Sequence, residues 1–89
     1  MKIKLELYGA SRDFSKKNHI EFKIKDKTEF KNFRKKIIDY LDKNFKGNKN
    51  FKKIVETSAF CSEDNNIIND NYIISKDQKI GIIPPIGGG

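Results

Sequence analysis

The sequence predicts a small α+β domain in which a mixed sheet of four to five strands packs on one main helix. Three observations favour this fold class. Apolar residues alternate near the N-terminus, recur at helical spacing in the middle of the chain, and form a final apolar run before two prolines. Alternation is typical of a half-buried strand, and the wider spacing is typical of an amphipathic helix. The 89 residues fit one domain with a modest core.

Two alternating stretches, residues 2–8 and 19–25, predict the first two strands. Their inward faces are apolar and consist of Ile3, Leu5, Leu7, Ile20, Phe22 and Ile24. A break at residues 9–11 and a polar loop near residues 13–18 predict a hairpin connection. His19 is the only histidine, and no nearby cysteine could share a metal or a catalytic proton with it. We therefore expect His19 to be a surface residue at the strand edge.

The main helix is predicted by an apolar stripe that recurs every three to four residues. The stripe consists of Phe30, Phe33, Ile37, Leu41 and Phe45. Asp26 or Thr28 is expected to cap the start, with Glu29 in the first turn, where the helix dipole favours an anion. Gly47 suits the left-handed position that ends a helix. The aromatic stripe indicates a core face, because aromatic residues that stack on RNA bases are expected on exposed strands.

The second half of the chain predicts shorter elements. Residues 48–53 are interpreted as a polar, basic connection, and a third strand is expected at residues 57–61. Short apolar pieces at residues 67–68 and 72–74 predict a minor strand and a tight turn, and residues 79–83 predict the last strand. A right-handed crossover favours the first and last strands in the centre of the sheet. Gly81 in the last strand is expected to permit a close approach of backbone or of a helix.

Composition limits the classes of function. The net charge is +7, and all cations except Arg12 and Arg34 are lysines. Lysine is a hydrated point charge, so this excess favours solubility or electrostatic steering of partners over sequence-specific readout of bases. Arg12 is expected to be a solvated cation in a loop. The single cysteine, Cys61, excludes an internal disulfide and is expected to be a buried strand thiol. No run approaches the ~18 apolar residues of a membrane span, and the N-terminus lacks signal-peptide character. The expected location is the cytoplasm.

The last ten residues carry the strongest functional signal. An apolar strand leads into Pro84 and Pro85, then Ile86, and then three glycines. The prolines stiffen the exit from the sheet, and the glycines keep the following backbone slender enough for a narrow space. We therefore expect a globular domain at residues 1–83 and an extended tail at residues 84–89. The tail would present the α-carboxylate of Gly89 to the active site of another protein.

Residues 80–89 resemble the terminus of the small subunit of molybdopterin synthase, a ubiquitin-like sulfur carrier with a β-grasp fold. That family ends in an apolar strand, two prolines, two linking residues and two glycines, which correspond here to Pro84-Pro85, Ile86-Gly87 and Gly88-Gly89. Residues 1–14 and 28–41 are more weakly similar to the first strand and the helix of the family. The resemblance favours a β-grasp over a ferredoxin-like sandwich.

The resemblance also implies a chemistry for the tail. Gly89 would be adenylated by an E1-like partner and converted to a thiocarboxylate, and the large subunit of molybdopterin synthase would accept its sulfur for molybdenum cofactor synthesis. ATP, magnesium and the sulfur donor would come through the activating enzyme, so neither a bound cofactor nor a metal site is expected in this chain. The implied tail and partner-binding residues are Ile82, Ile83, Pro84, Pro85, Ile86, Gly87 and Gly88. Ile82 and Ile83 could equally be core, since alternation would bury one of them.

Three alternatives remain. The first is a related carrier for thiazole synthesis or tRNA thiolation, or a ubiquitin-like protein modifier, because all share the terminal glycines. The second is a small nucleic-acid-binding module driven by the positive charge. Its candidate patches are Lys31, Arg34, Lys35, Lys36 and Lys43, or Lys46, Lys49, Lys52 and Lys53. An independent enzyme is the third and least favoured, because no phosphate-binding loop or metal-ligand spacing is present.

Overall fold

A computed structural model describes residues 1–85 of the chain. The helices and strands are, in order, β1 (Lys2–Leu7), β2 (His19–Lys23), β3 (Thr28–Glu29), α1 (Phe30–Phe45), α2 (Lys49–Thr57), β4 (Ala59–Cys61), β5 (Ile73–Ile74) and β6 (Gln78–Ile83). A 3₁₀ turn at Gly9–Phe14 follows β1. The expectation of an α+β domain with a mixed four-stranded sheet is confirmed, and the arrangement is compatible with a β-grasp.

The sheet is built around the first and last strands, as predicted. Its strand order is β2-β1-β6-β4, with β1 parallel to β6 and both outer pairs antiparallel. The parallel register runs from Ile3 opposite Gln78 to Leu7 opposite Ile82. Parallel strands need a long crossover between them, and the chain here uses it to place α1 on one face of the sheet.

The core lies between α1 and the inward face of the sheet. Each of the following side chains is at most 2% exposed: Ile3, Leu5, Leu7, Phe30, Phe33, Ile37, Leu41, Ile80 and Ile82. Burying one such side chain stabilises the fold by roughly 1.5–3 kcal/mol. The first alternating strand and most of the helical stripe therefore have the burial that the sequence predicted, whereas Phe22 in β2 and Phe45 at the end of α1 are only half-buried.

The start of α1 differs from the prediction. Thr28 and Glu29 form β3, which pairs with β5, and Glu29 precedes the first turn without capping it through its side chain. The first backbone donors instead reach the loop before β5: Phe30 N–H donates to the carbonyl of Tyr72 at 2.8 Å, and Lys31 N–H donates to that of Asp70 at 3.2 Å. The predicted caps, Asp26 or Thr28, were wrong because distant carbonyls satisfy these donors.

The end of α1 follows the prediction more closely. Gly47 adopts the expected left-handed conformation with φ of 72°, and Lys46 before it has φ of 55°. The N–H of Gly47 donates to the carbonyl of Asp42 at 3.1 Å, which satisfies one of the last acceptors of the helix.

The interpretation of residues 48–53 as a connection was wrong, because a second helix, α2, begins at Lys49. The side-chain oxygen of Asn48 caps it by accepting from the backbone N–H groups of Asn50 at 2.9 Å and Phe51 at 3.1 Å. Phe51 packs between the rings of Phe14 and Phe45, with ring centres 4.9 Å from each. Since α2 extends to Thr57, the third strand of the sheet begins only at Ala59. Within residues 1–85, neither these helices nor the 3₁₀ turn has both the length and the apolar character needed to cross a bilayer.

The two short apolar pieces have separate roles. Ile67 forms a bridge with Cys61, and the N–H of Ile68 donates to the carbonyl of Phe60 at 2.9 Å, so this segment lies along the outer edge of β4. Ile73 and Ile74 form β5, which belongs with β3 to a second, two-stranded sheet. The predicted minor strand is therefore divided between an isolated bridge and this second sheet.

The capping role of Asn48 can be tested with two asparagine-to-alanine changes at the start of α2. Asn48→Ala removes the acceptor of two backbone N–H groups and should lower the free energy of unfolding by about 0.5–2 kcal/mol. Asn50 lies two residues later at an exposed position of the helix. Asn50→Ala should change the free energy of unfolding by less than about 0.5 kcal/mol. Urea unfolding followed by circular dichroism measures both, and equal values for the two variants would contradict the assigned cap.

Candidate functional site

The candidate site is the place where β6 leaves the sheet. Ile82 is fully buried in the core, whereas Ile83 is 41% exposed on the outer face of the sheet, away from α1. The register decides between them: Ile82 lies opposite Leu7 on the helix side, and Ile83 lies opposite the exposed Ala59. Of the two isoleucines that the sequence could not separate, Ile83 has the side chain that another protein can contact.

The first proline after β6 packs against the turn that follows β1. A Cβ atom built at Gly9 would lie 3.7 Å from Cδ of Pro84, so Pro84 lies directly beside this turn. Gly9 has φ of 55°, in the left-handed region that favours glycine. Pro84 is half-buried and Pro85 is exposed, which means that the chain is still held by the domain one residue beyond the sheet.

The turn that holds Pro84 is itself fixed by a buried serine. The hydroxyl of Ser11 donates to the carbonyl of Tyr8 at 2.6 Å, and its oxygen accepts from the N–H of Tyr8 at 2.9 Å. Ser11 is fully buried, and a buried hydroxyl with both bonds made is costly to displace. The exit of the chain is therefore defined by hydrogen bonds in the β1 turn as well as by the prolines.

Three exposed residues with apolar surface surround this exit on the outer face of the sheet. Tyr8 is 45% exposed, Ile83 is 41% exposed, and Ala59 pairs with Ile83 across the β4–β6 ladder. We call Tyr8, Ala59 and Ile83 the exit patch. Exposed apolar side chains that lie together are a suitable surface for contact with another protein.

Gly81 brings two side chains close to the backbone of β6. A Cβ atom at this position would lie 2.9 Å from Sγ of Cys61 and 3.2 Å from Cε2 of Tyr8. The sequence predicted that backbone or a helix would approach Gly81 closely, but the close neighbours are the side chains of Cys61 and Tyr8. Cys61 is half-buried rather than buried as expected. Beside it is a polar cleft of about 310 Å³, lined by Glu6, Tyr8, Cys61, Ser62, Glu63, Asn65, Lys79 and Gly81.

The geometry excludes a nucleophile–base pair between the only cysteine and the only histidine. His19 lies on β2 and Cys61 on β4, which are opposite edges of the four-stranded sheet. Three strand spacings of ~4.8 Å separate them, far beyond a hydrogen bond. His19 is instead half-buried at the sheet edge, as expected, with Nδ1 3.0 Å from Oδ1 of Asn18. Cys61 and His19 therefore cannot act together as a nucleophile and its base.

The cations proposed for nucleic acid lie on α1, on α2 and on the loop between them. Arg34, their only guanidinium, is already engaged: it forms an ion pair with Asp70 at 2.8 Å, and its carbon Cζ lies 5.2 Å from the ring centre of Phe30 and 5.5 Å from that of Phe60. Arg34 therefore holds the loop around Asp70 against the core, and the exposed cations of these candidate patches are all lysines. Arg12 is exposed in the 3₁₀ turn, as expected of a solvated cation.

Residues Ile86, Gly87, Gly88 and Gly89 lie outside the described residues, so their predicted roles stay predictions. Tyr8 and Ala59 are the members of the site that the sequence reasoning missed. The one available signal was the alternation of the first strand, which places the side chain of Tyr8 on the outward face. The position of Ala59 depends on the β4–β6 register, which no local pattern indicates.

The different burial of the two neighbouring isoleucines gives a direct test. Ile82→Ala should lower the free energy of unfolding by about 2–5 kcal/mol, because it leaves a cavity in the core. Ile83→Ala should cost about 1 kcal/mol or less, because its side chain already contacts water. Urea unfolding of both variants measures the difference, and a larger loss for Ile83→Ala would contradict the register of β6.

Comparisons with known proteins leave the family open. The chain matches no protein-family model, and no curated protein matches its sequence.

Proposed function

We propose that this protein is a cytoplasmic sulfur carrier with a β-grasp fold, and that the carboxylate of Gly89 is its working group in molybdopterin synthesis. The observation that carries the proposal is the geometry of the exit. β6 lies in the centre of the sheet, Pro84 packs on the β1 turn, and the exit patch lies beside both. Such an arrangement favours a protein that presents the following residues from a fixed point to a docked partner.

The chemistry requires activation, because a carboxylate is a poor acyl donor whose leaving group would be oxide. In the proposed cycle the Gly89 carboxylate attacks the α-phosphorus of ATP in an E1-like enzyme, and pyrophosphate leaves. Hydrosulfide then attacks the acyl carbon, AMP leaves with the bonding electron pair, and loss of a proton gives the thiocarboxylate. The catalytic groups and magnesium belong to the activating enzyme, and the carrier supplies the acyl group.

The sequence of the tail suits this role. Gly87, Gly88 and Gly89 have no side chains, so their backbone can enter a channel that excludes larger residues. Pro84 and Pro85 restrict φ and reduce the number of conformations that must be lost when a partner binds. The spacing from the two prolines to Gly88-Gly89 is the feature that favours the large subunit of molybdopterin synthase as the sulfur acceptor. There the sulfur would be transferred to a cyclic pterin phosphate to build the dithiolene.

The exit patch supplies the contact for such partners. Tyr8 and Ile83 offer exposed aromatic and aliphatic surface on the same face of the sheet. Burial of apolar area there would give binding energy without using the tail residues themselves. The tail would then remain free to enter the active site.

The thiocarboxylate can be detected by intact-mass spectrometry. Incubation of the full chain with the E1-like enzyme of its host, ATP, magnesium and sulfide should raise its mass by the difference between sulfur and oxygen. Gly88→Val should prevent this gain because its side chain obstructs the channel, and it should leave unfolding unchanged because the described core ends at Ile82. A wild-type chain whose mass stays constant would refute the carrier chemistry.

The acceptor distinguishes the branches of sulfur carriers. The thiocarboxylated chain should yield a dithiolene product when mixed with the large subunit of molybdopterin synthase and the cyclic pterin phosphate. Formation of the thiocarboxylate without this product, and with transfer to a thiazole or tRNA acceptor, would retain the carrier and reject the molybdopterin branch.

The exit patch can be tested with two variants, each of which replaces one exposed isoleucine by aspartate. Ile83→Asp should weaken binding to the activating enzyme by about tenfold or more, because docking would bury an unpaired carboxylate. Ile67→Asp places the same charge on a side chain that is 68% exposed outside the patch, and it should bind like the wild type. Isothermal titration calorimetry measures both, and equal affinities would remove the patch from the proposal.

A further inference from the structure

The two edge strands of the four-stranded sheet differ in whether their outer backbone groups have hydrogen-bond partners. At the β4 edge, the N–H of Ile68 donates to the carbonyl of Phe60 and the N–H of Ser62 donates to the carbonyl of Asn66, each at 2.9 Å. The chain therefore covers that edge itself. At the other edge, β2 pairs with β1 alone, and nothing else in residues 1–85 pairs with its outer side.

The backbone groups that β2 leaves open follow from its pairing. The carbonyl of Asn18 accepts from Leu7, and the N–H of Ile24 donates to Met1, both at 2.9 Å, so these two residues direct their backbone groups toward β1. The backbone groups of successive residues in a strand point in alternate directions. His19, Glu21 and Lys23 therefore direct their N–H and C=O groups away from β1. The open edge thus offers three donors and three acceptors at the spacing of a strand.

A shallow groove lies along this edge. A depression of about 380 Å³ is lined by Ser15, Lys17, His19, Ile20, Glu21 and Tyr40. Three consecutive strand residues can line one depression only along the strand edge, because successive side chains point to opposite faces. Tyr40 of α1 forms the opposite wall, and its ring centre lies 5.5 Å from that of the half-buried Phe22. The groove therefore combines open backbone groups with an aromatic wall.

The rim of the groove is mostly basic. Lys16 and Lys17 precede β2, and Lys23 and Lys25 lie at its end, all of them exposed. On α1, Lys36 and Lys43 lie one turn before and after Tyr40 and share its side of the helix. The exposed anions of the same segments are Glu21 and Asp26 near β2, and Asp39 and Asp42 on α1. Cations therefore outnumber anions around the groove, which favours an acidic occupant.

We propose that the β2 edge binds an extended, acidic segment of a partner protein, which adds to the sheet as a further strand. The segment pairs its backbone with His19, Glu21 and Lys23. Its alternate apolar side chains contact Phe22 and Tyr40, and its acidic residues lie near the rim lysines. Main-chain bonds supply the affinity in this mode of recognition, and alternate side chains supply the specificity. The proposal is independent of the chemistry of the tail, because β1 separates β2 from β6.

Two other occupants suit this edge less well. A second copy of the chain would bring two lysine-rich β2 edges together, and lysine on an edge strand opposes such pairing. A nucleic acid carries no peptide groups that could continue the ladder beyond His19, Glu21 and Lys23. An acidic peptide satisfies both the backbone and the charge of the groove.

The probe is a blocked synthetic peptide in which four valines alternate with threonines and three glutamates follow. With the full chain labelled with ¹⁵N, binding should slow the hydrogen exchange of the His19, Glu21 and Lys23 amides. A peptide of the same composition that is N-methylated at every second backbone nitrogen, and a peptide with lysines in place of the glutamates, should both bind at least about tenfold more weakly. Equal binding of all three peptides would overturn the proposal.

Two variants at one position separate strand addition from simple charge attraction. Glu21→Pro removes an N–H that makes no bond to β1, whereas Glu21→Thr keeps it and removes the same charge. Glu21→Pro should lose about tenfold in peptide affinity relative to Glu21→Thr, with both variants folded by circular dichroism. Equal affinities would overturn the proposal. So would protection of the same three amides by a ten-nucleotide single-stranded DNA, or by self-association without peptide.

Discussion

The parallel pairing of β1 with β6 is the constraint on which the rest of the structure depends. It places the first and last strands side by side, so the carboxyl-terminal ends of both strands lie at the same end of the sheet. The turn after β1 and the exit after β6 are therefore neighbours. This explains why Pro84 meets Gly9, and why Tyr8 and Ile83 are exposed on one face although 75 positions separate them in the chain numbering.

The fold could be predicted where a long, regular pattern met one buried surface. The strands β1 and β2 and the helix α1 each repeat their period several times, so burial of one face decides their structure. The nine-residue helix α2 gives a weaker signal, because Phe51, Ile54 and Val55 have helical spacing but repeat it over little more than one turn. Its stabilising partners include Phe14 and Phe45, whose rings reach Phe51 only in the folded chain.

The candidate site could be predicted only in part for a related reason. The prolines and glycines are local signals, so the exit could be located from the sequence, whereas the exit patch depends on pairing registers. Alternation indicated that one of Ile82 and Ile83 is buried, but only the register of β6 against β1 and β4 identifies Ile82 as the buried one. The predicted cap of α1 was wrong for the same reason. The backbone carbonyls of Asp70 and Tyr72, which accept from the start of the helix, are distant in sequence from Phe30.

The two proposed interactions use different parts of the same sheet. A partner at the exit patch would contact side chains on the outer face around β6, whereas a peptide at β2 would bond to backbone groups in the plane of the sheet. β1 lies between them and pairs with β2 on one side and with β6 on the other. Occupation of one site therefore leaves the hydrogen-bonding groups of the other in place. The proposed carrier function requires an exchange of partners at the tail, and an edge site that is separate from the tail would let one protein hold the chain while another acts on its terminus.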